Sequence, residues 1–280
     1  MRSVKSLVAA GAASLLSSVA FAADMPSIMP PPPMAYAPAP QQDFGGWYLR
    51  GDIGMTNTQG KLHTNLYDTL PANTITNQYG HGFDGGMMYG VGVGYQFNNW
   101  FRADVTGEYR SKVSFKGTDF FQFNPGGGLA DAYSGGYRSW VGMVNGYVDL
   151  GTWWCITPFI GAGVGAANIK TTGFSDVATF PAFDGRTSSY FADGASKTNL
   201  AWALHAGLAY KVSNNFTVEL AYRYLDMGTG IHGQGHFFDG SPAGVSTFQY
   251  RDMTSHDLKL GVRWNLESPQ VYAPPLMRKG

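Results

Sequence analysis

The chain has 280 residues, and only 14% of them are charged, against about 25% in an ordinary soluble domain. Its 19 basic and 19 acidic side chains cancel, which leaves nothing to select nucleic acid or an acidic partner. Glycine is high, at 38 residues, and aromatic residues make up 15%, a balance that suggests low-complexity disorder until the alternation below excludes it for the central part.

The chain opens on a secretory leader, residues 1–22. Arg2 and Lys5 form its charged start, Leu7 to Val19 its apolar stretch, and Ala20-Phe21-Ala22 a small-x-small site with cleavage before Ala23. The apolar stretch is too short for a spanning helix, and no other stretch approaches about eighteen apolar residues. Residues 23–44 are Pro-rich, with Pro30 to Pro33 in a run. They read as a polyproline spacer or an unstructured tail in the periplasm.

From residue 45 the pattern is period two, hence β. In the first strand Trp47, Leu49, Ile53 and Met55 share one face, and Tyr48, Arg50 and Asp52 the other. A polar segment leads to Gly85. Residues 86–110 form a hairpin around Asn98-Asn99. One face carries Tyr89, Val91, Val93, Tyr95 and Phe97, and the other Gly90, Gly92, Gly94 and Gln96. Residues 111–138, broken by Asn124-Pro125-Gly126-Gly127-Gly128, read as a second long segment. Strands follow at 140–150 and 156–167, joined by a turn holding Trp153, Trp154 and Cys155. A third long segment covers 168–198. Strands at 200–212 and 216–225 flank Ser213-Asn214-Asn215, a fourth long segment covers 226–253, and a last strand spans 255–266.

The strands are about ten residues long, the length that crosses a bilayer at a tilt. Glycines on the polar face gain nothing in water and weaken a strand. In a narrow lumen they leave room for larger side chains. The apolar face is therefore read as lipid-facing. The expected fold is all-β: an eight-stranded antiparallel up-and-down transmembrane β-barrel over residues 45–267, with four long extracellular loops, short periplasmic turns and a periplasmic tail at 268–280. Outward aromatics form two girdles, with Trp47, Phe97, Trp100, Phe216 and Trp264 below and Tyr89, Tyr109, Trp140, Trp202 and Tyr224 above.

The motifs carrying this pattern resemble a known family. They are Gly46-Trp47-Tyr48-Leu49-Arg50-Gly51, Tyr89-Gly90-Val91-Gly92-Val93-Gly94-Tyr95, Pro158-Phe159-Ile160-Gly161-Ala162-Gly163-Val164-Gly165 and Ser255 to Trp264. In order and spacing they are similar to the small eight-stranded OmpA-like outer-membrane barrels, in particular the porin-family surface antigens of alphaproteobacteria. The resemblance implies the outer membrane of a Gram-negative cell. Barrels of that family usually end on an aromatic residue; here Trp264 is followed by Asn265, Leu266 and the tail.

Inward charges form the main candidate constellation: Arg50, Asp52, Arg102, Asp104, Glu108, Arg110, Asp149, Lys211, Glu219, Arg223, Asp257, Lys259 and Arg263. An eight-stranded lumen is just wide enough to be filled by side chains, so these should pair and plug it. The other reading is a narrow ion path. Arg50-Gly51-Asp52 spells an adhesion tripeptide, but both charges point inward. The glycine repeat at 161–165 has no helix after it and is no phosphate loop. Ser255 and His256 fall on opposite strand faces, so no catalytic set is assembled and no enzyme is expected. His232 and His236 are weak candidates for haem or metal, and haemin binding is known in the resembling family. No cofactor is otherwise expected. Cys155 is read as apolar filler at its turn, with a covalent dimer as the alternative.

The expected function is a non-enzymatic outer-membrane barrel with a structural and surface-antigen role, supporting envelope integrity and loop-mediated interactions. The alternatives are a small porin-like channel or a loop-mediated haem or metal receptor. Expected partners are outer-membrane lipid and lipopolysaccharide. Peptidoglycan contact through the Pro-rich arm is left open, nucleic acid is not expected, and a monomer is favoured over an oligomer.

Overall fold

Alternating strands leave every backbone donor and acceptor needing a neighbouring strand, and in lipid only a closed ring supplies one for each. The computed structural model describes residues 46–65, 74–122, 127–180 and 186–266. The leader, the Pro-rich arm, the C-terminal tail and the centre of the Asn124-Pro125-Gly126 breaker lie outside the described residues. Among those described there are twelve strands in one antiparallel sheet: β1 (Gly46–His63), β2 (Ile75–Phe83), β3 (Gly86–Gln96), β4 (Phe101–Gln122), β5 (Gly128–Asp149), β6 (Ile156–Thr171), β7 (Phe174–Phe180), β8 (Arg186–Gly194), β9 (Ser196–Lys211), β10 (Phe216–Phe237), β11 (Pro242–Val245) and β12 (Gln249–Asn265). Eight of them close a ring in the order β1, β3, β4, β5, β6, β9, β10, β12 and back to β1. This is the expected eight-stranded barrel.

Three tight turns close one end. The Asn98 side chain accepts the backbone N–H groups of Trp100 and Phe101 at 3.0 and 2.7 Å, which locks the first turn. In the second, Trp153 and Ile156 exchange backbone hydrogen bonds at 2.9 Å around Trp154 and Cys155, both with positive φ. That two-residue hairpin shape normally calls for Asn-Gly.

The opposite end differs from the sequence reading. The four segments read as loops are largely strand, because the barrel wall continues through them. β2 sits on β4 beyond the start of β3, β7 on β5 beyond the end of β6, β8 on β10 beyond β9, and β11 on β10 beyond β12. The β7–β8 hairpin extends the wall as β6 and β9 do below it. β4, β5 and β10 each have 22 residues, roughly 70 Å of chain at ~3.3 Å per residue. That is about twice what a bilayer crossing needs.

Bulges mark the level where the wall changes character. The β4–β5 register slips between Arg110 and Val113, and the β10–β12 register slips around Gly228, near the positive-φ residue Asp252. Each extra residue flips the faces that follow. Below the bulges apolar residues face out, as with Leu49, Val91, Trp140, Leu204, Leu220 and Leu260, which are 48–70% exposed. Above them the apolar residues face in: Val113, Phe115 and Phe121 of β4 are buried while Lys112 and Lys116 are exposed.

Candidate functional site

The lower lumen holds a charge network built from the inward face of each strand. Arg50 on β1 donates to both oxygens of Asp52, at 2.9 and 3.0 Å, and reaches Asp104 on β4 at 2.6 Å. Arg110 grips Asp257 through two nitrogens at 2.8 and 2.9 Å. Arg223 on β10 bridges Glu108 at 2.7 Å and Asp257 at 2.7 and 3.0 Å. Lys259 joins Glu108 at 3.0 Å and Asp52 at 3.7 Å. Glu219 gathers Arg50, Arg102 and Arg263, and Arg102 continues to Asp149 at 3.2 Å.

Six cations and six carboxylates therefore form one connected set of zero net charge. All are buried, at 8% exposure or less. Neutral groups complete it. Tyr48 donates to Asp104 at 3.2 Å, Asn145 donates to Asp104 at 2.8 Å, and the Arg102 guanidinium lies 4.2 Å from the Tyr147 ring centre. The glycines make this possible: a Cβ on Gly94 would overlap the ring of Tyr48, its cross-strand partner. The room is taken by neighbouring strands rather than only by facing ones.

Lys211 is a correction. It is exposed at the end of β9, paired in register with Thr217 beside the tight turn, so its side chain has passed the rim of the lumen. His205, on the same strand, is buried and packs on Tyr147 with ring centres 5.3 Å apart.

The upper interior is aromatic. Phe83, Phe115, Tyr137 and Tyr250 pack together, and Phe174, Phe248, Tyr133 and Tyr190 form a neighbouring group. His232 sits between Phe174 and Tyr250, 5.0 Å from each ring centre, with its Nδ1 3.2 Å from the Phe248 carbonyl oxygen. Burial pushes its pKa down. His236 lies four residues further along the same strand, half-exposed, and faces Asp193 at 3.4 Å. Four residues of strand span about 13 Å, too far for both rings to bind one ion directly.

Three carboxylates line the same level. Asp119 and Asp131 face each other across β4 and β5, and Asp119 pairs with His81 at 2.6 Å. Asp176 lies on β7 beside Tyr133 of β5 and Tyr190 of β8. Burial pushes Asp131 up to about 6 and Asp176 to about 7; the neighbouring carboxylates add to both shifts. Ser255 points into the lumen, where Arg110 donates to it at 2.5 Å, while His256 points outward against Tyr222.

A closed ring with an apolar exterior and a charged, buried interior already describes a membrane barrel. The family described as outer membrane protein beta-barrel domain matches residues 12–265. The chain belongs to that family. Its place is the outer membrane. A Brucella suis relative is 30% identical to this outer-membrane barrel over 278 residues, covering 89% of this chain and 94% of the relative. Outer membrane protein PagN of Salmonella typhimurium is 30% identical over 236 residues, covering 78% of this chain and 89% of PagN. A Rickettsia felis protein described as an adhesin is 26% identical over 271 residues, covering 93% of this chain and 98% of its own length. Among solved structures, Neisserial surface protein A is similar, at 17% identity and a TM-score of 0.39, covering 79% of this chain and 97% of that one.

The aromatic storey and its three aspartates are what sequence reasoning missed. They sit in segments read as loops. The signal was present as further period-two alternation, in Val113, Phe115, Asp119 and Phe121, whose inward face is offset by one residue from Arg102 to Arg110 below, and in Asp131 and Tyr133, which keep the inward phase of Asn145, Tyr147 and Asp149.

Proposed function

We propose that this outer-membrane barrel is a sealed, non-catalytic surface protein. The short turns face the periplasm, and the tall wall stands outside the cell and carries the contacts with its surroundings. The observation that supports this best is the single neutral network of twelve charges filling the lumen. Breaking any buried pair leaves an uncompensated charge, so a conducting path is costly to open. The periplasmic side for the short turns follows the habit of such barrels. The relatives named as an adhesin and as PagN fit a role at the cell surface.

The test is single-channel conductance of the refolded mature chain in a planar bilayer, with unboiled and boiled gels to verify folding. No steps above baseline is the expected result. Regular steps that change on Arg102→Ala or Glu108→Ala would replace the sealed reading with a narrow ion path.

A further inference from the structure

At the top of the wall a cavity of about 310 Å³ opens between the residue that follows β1, strands β7, β8, β10 and β11, and the β11–β12 connection. Asp176, Tyr190, Phe237 and Phe248 are among its lining residues. Thr64 and Thr247 also line it, their hydroxyls 2.9 Å apart. The volume is in the range of small-molecule sites.

Its chemistry is one-sided. Asp176 lines the cavity, and its Oδ1, although buried, accepts no hydrogen bond. Asp131 nearby is only 8% exposed, and its Oδ1 likewise accepts none. Among the described residues, no lysine or arginine is ion-paired with either carboxylate. Buried acceptors without donors are costly, and a ligand that brings N–H groups repays that cost. The walls beside them are rings, which attract a cation at their faces. A bare metal ion would need several converging oxygens instead.

We propose that this cavity binds an organic cation, a primary ammonium or guanidinium group carried on an apolar chain, with Asp176 as its charge partner and Tyr190, Phe237 and Phe248 as its walls. The cation comes either from a free amine or from a lysine or arginine side chain of a peptide. The site does not depend on whether the lumen conducts, so this proposal and the sealed reading fail separately.

The experiment is calorimetric titration of the refolded full chain in detergent. The probes are butylammonium, butanol, butyrate and a blocked lysine-containing tetrapeptide. Butylammonium or the peptide should bind saturably, and butanol and butyrate should not. Binding of the peptide alone assigns the cation to a peptide side chain; binding of both admits free amines. Asp176→Asn should weaken binding about tenfold or more, the worth of a charge-assisted hydrogen bond, and Asp176→Glu should retain most of it. In the wild type, binding should be weaker at about pH 5 than at about pH 8, as Asp176 and Asp131 take up protons. The other titratable groups of this region are Asp119, His81, Tyr133, Tyr190, His232, His236, Asp193 and Tyr250. Heat-modifiable mobility on gels verifies that each variant is folded. The proposal is overturned if butanol binds as well as butylammonium, if neither cation binds, or if folded Asp176→Asn binds them as the wild type does.

Discussion

Replacing Arg223 with methionine tests whether the lumen is dry. Arg223 is fully buried and donates three hydrogen bonds to two carboxylates, Glu108 and Asp257. Methionine fills similar space without charge, so the network is left at −1. Removing one partner of a buried pair costs about 3–5 kcal/mol. Here Glu108 keeps Lys259 at 3.0 Å, and Asp257 keeps both bonds from Arg110. The expected cost is therefore at the low end, about 3 kcal/mol. Adding Glu108→Gln restores neutrality, and the double variant should lose less than the two single variants summed, with a coupling of about 1–3 kcal/mol. Denaturant titration of the barrel in lipid vesicles, followed by tryptophan fluorescence, measures both. A cost for Arg223→Met below about 1 kcal/mol is the value of a hydrated surface pair. That result would refute the dry, sealed lumen.

Four further outcomes follow from the same geometry. Gly94→Ala should cost about 1–3 kcal/mol by driving a methyl group into the Tyr48 ring, whereas Gly107→Ala, whose Cβ meets nothing within 4 Å, should be tolerated in the same titration. Trp154→Asn with Cys155→Gly should raise the unfolding free energy in that titration by about 1–2 kcal/mol, because both native residues hold the left-handed backbone at the turn. Cys155, exposed at the short-turn end, should react with a maleimide too bulky for porins only after the outer membrane is permeabilised; labelling in intact cells would invert the orientation proposed above. Asp131 and Asp176 titrate above the usual carboxylate range, so the protonated forms favour the folded wall. Their stabilising effect is complete below about pH 4 and is lost as pH rises through about 6 and 7. Asp131→Asn with Asp176→Asn should flatten that loss, a difference on the order of 2 kcal/mol in unfolding free energy between about pH 5 and pH 8.

The membrane-spanning half was legible because lipid imposes one rule on every strand: apolar out, polar in, with no interruption. Tyr89 to Phe97 opposite Gly90 to Gln96 obeys it fully. The wall above obeys the reverse rule, since water lies outside and rings pack inside. In β4 the bulge at Ser111 and Lys112 turns the odd positions, apolar on both sides of it, from the outer face to the inner, whereas β5 keeps one face inward throughout. Val113, Phe115 and Phe121 therefore continue the odd-numbered period of Phe101 to Tyr109 on the other face, and with Lys112, Lys116 and Asp119 among them the stretch reads as a polar segment. Lys211 failed for a different reason. Its phase was correct, but phase says nothing about where a strand leaves the lumen. His232 and His236 share a nominal spacing that holds meaning on a helix; on a strand it separates the rings.

The charge network also constrains how the barrel can be built. β4 alone carries Arg102, Asp104, Glu108 and Arg110, and their partners lie 47, 54, 115 and 147 residues away along the chain, on β5, β1, β10 and β12. A single hairpin entering lipid would bring these charges without their partners, at a cost of a few kcal/mol each. Piecemeal insertion is therefore uphill until the last strand arrives. The chain must curl and register its charges while still in contact with water or a polar template, and surrender that contact only as β12 meets β1.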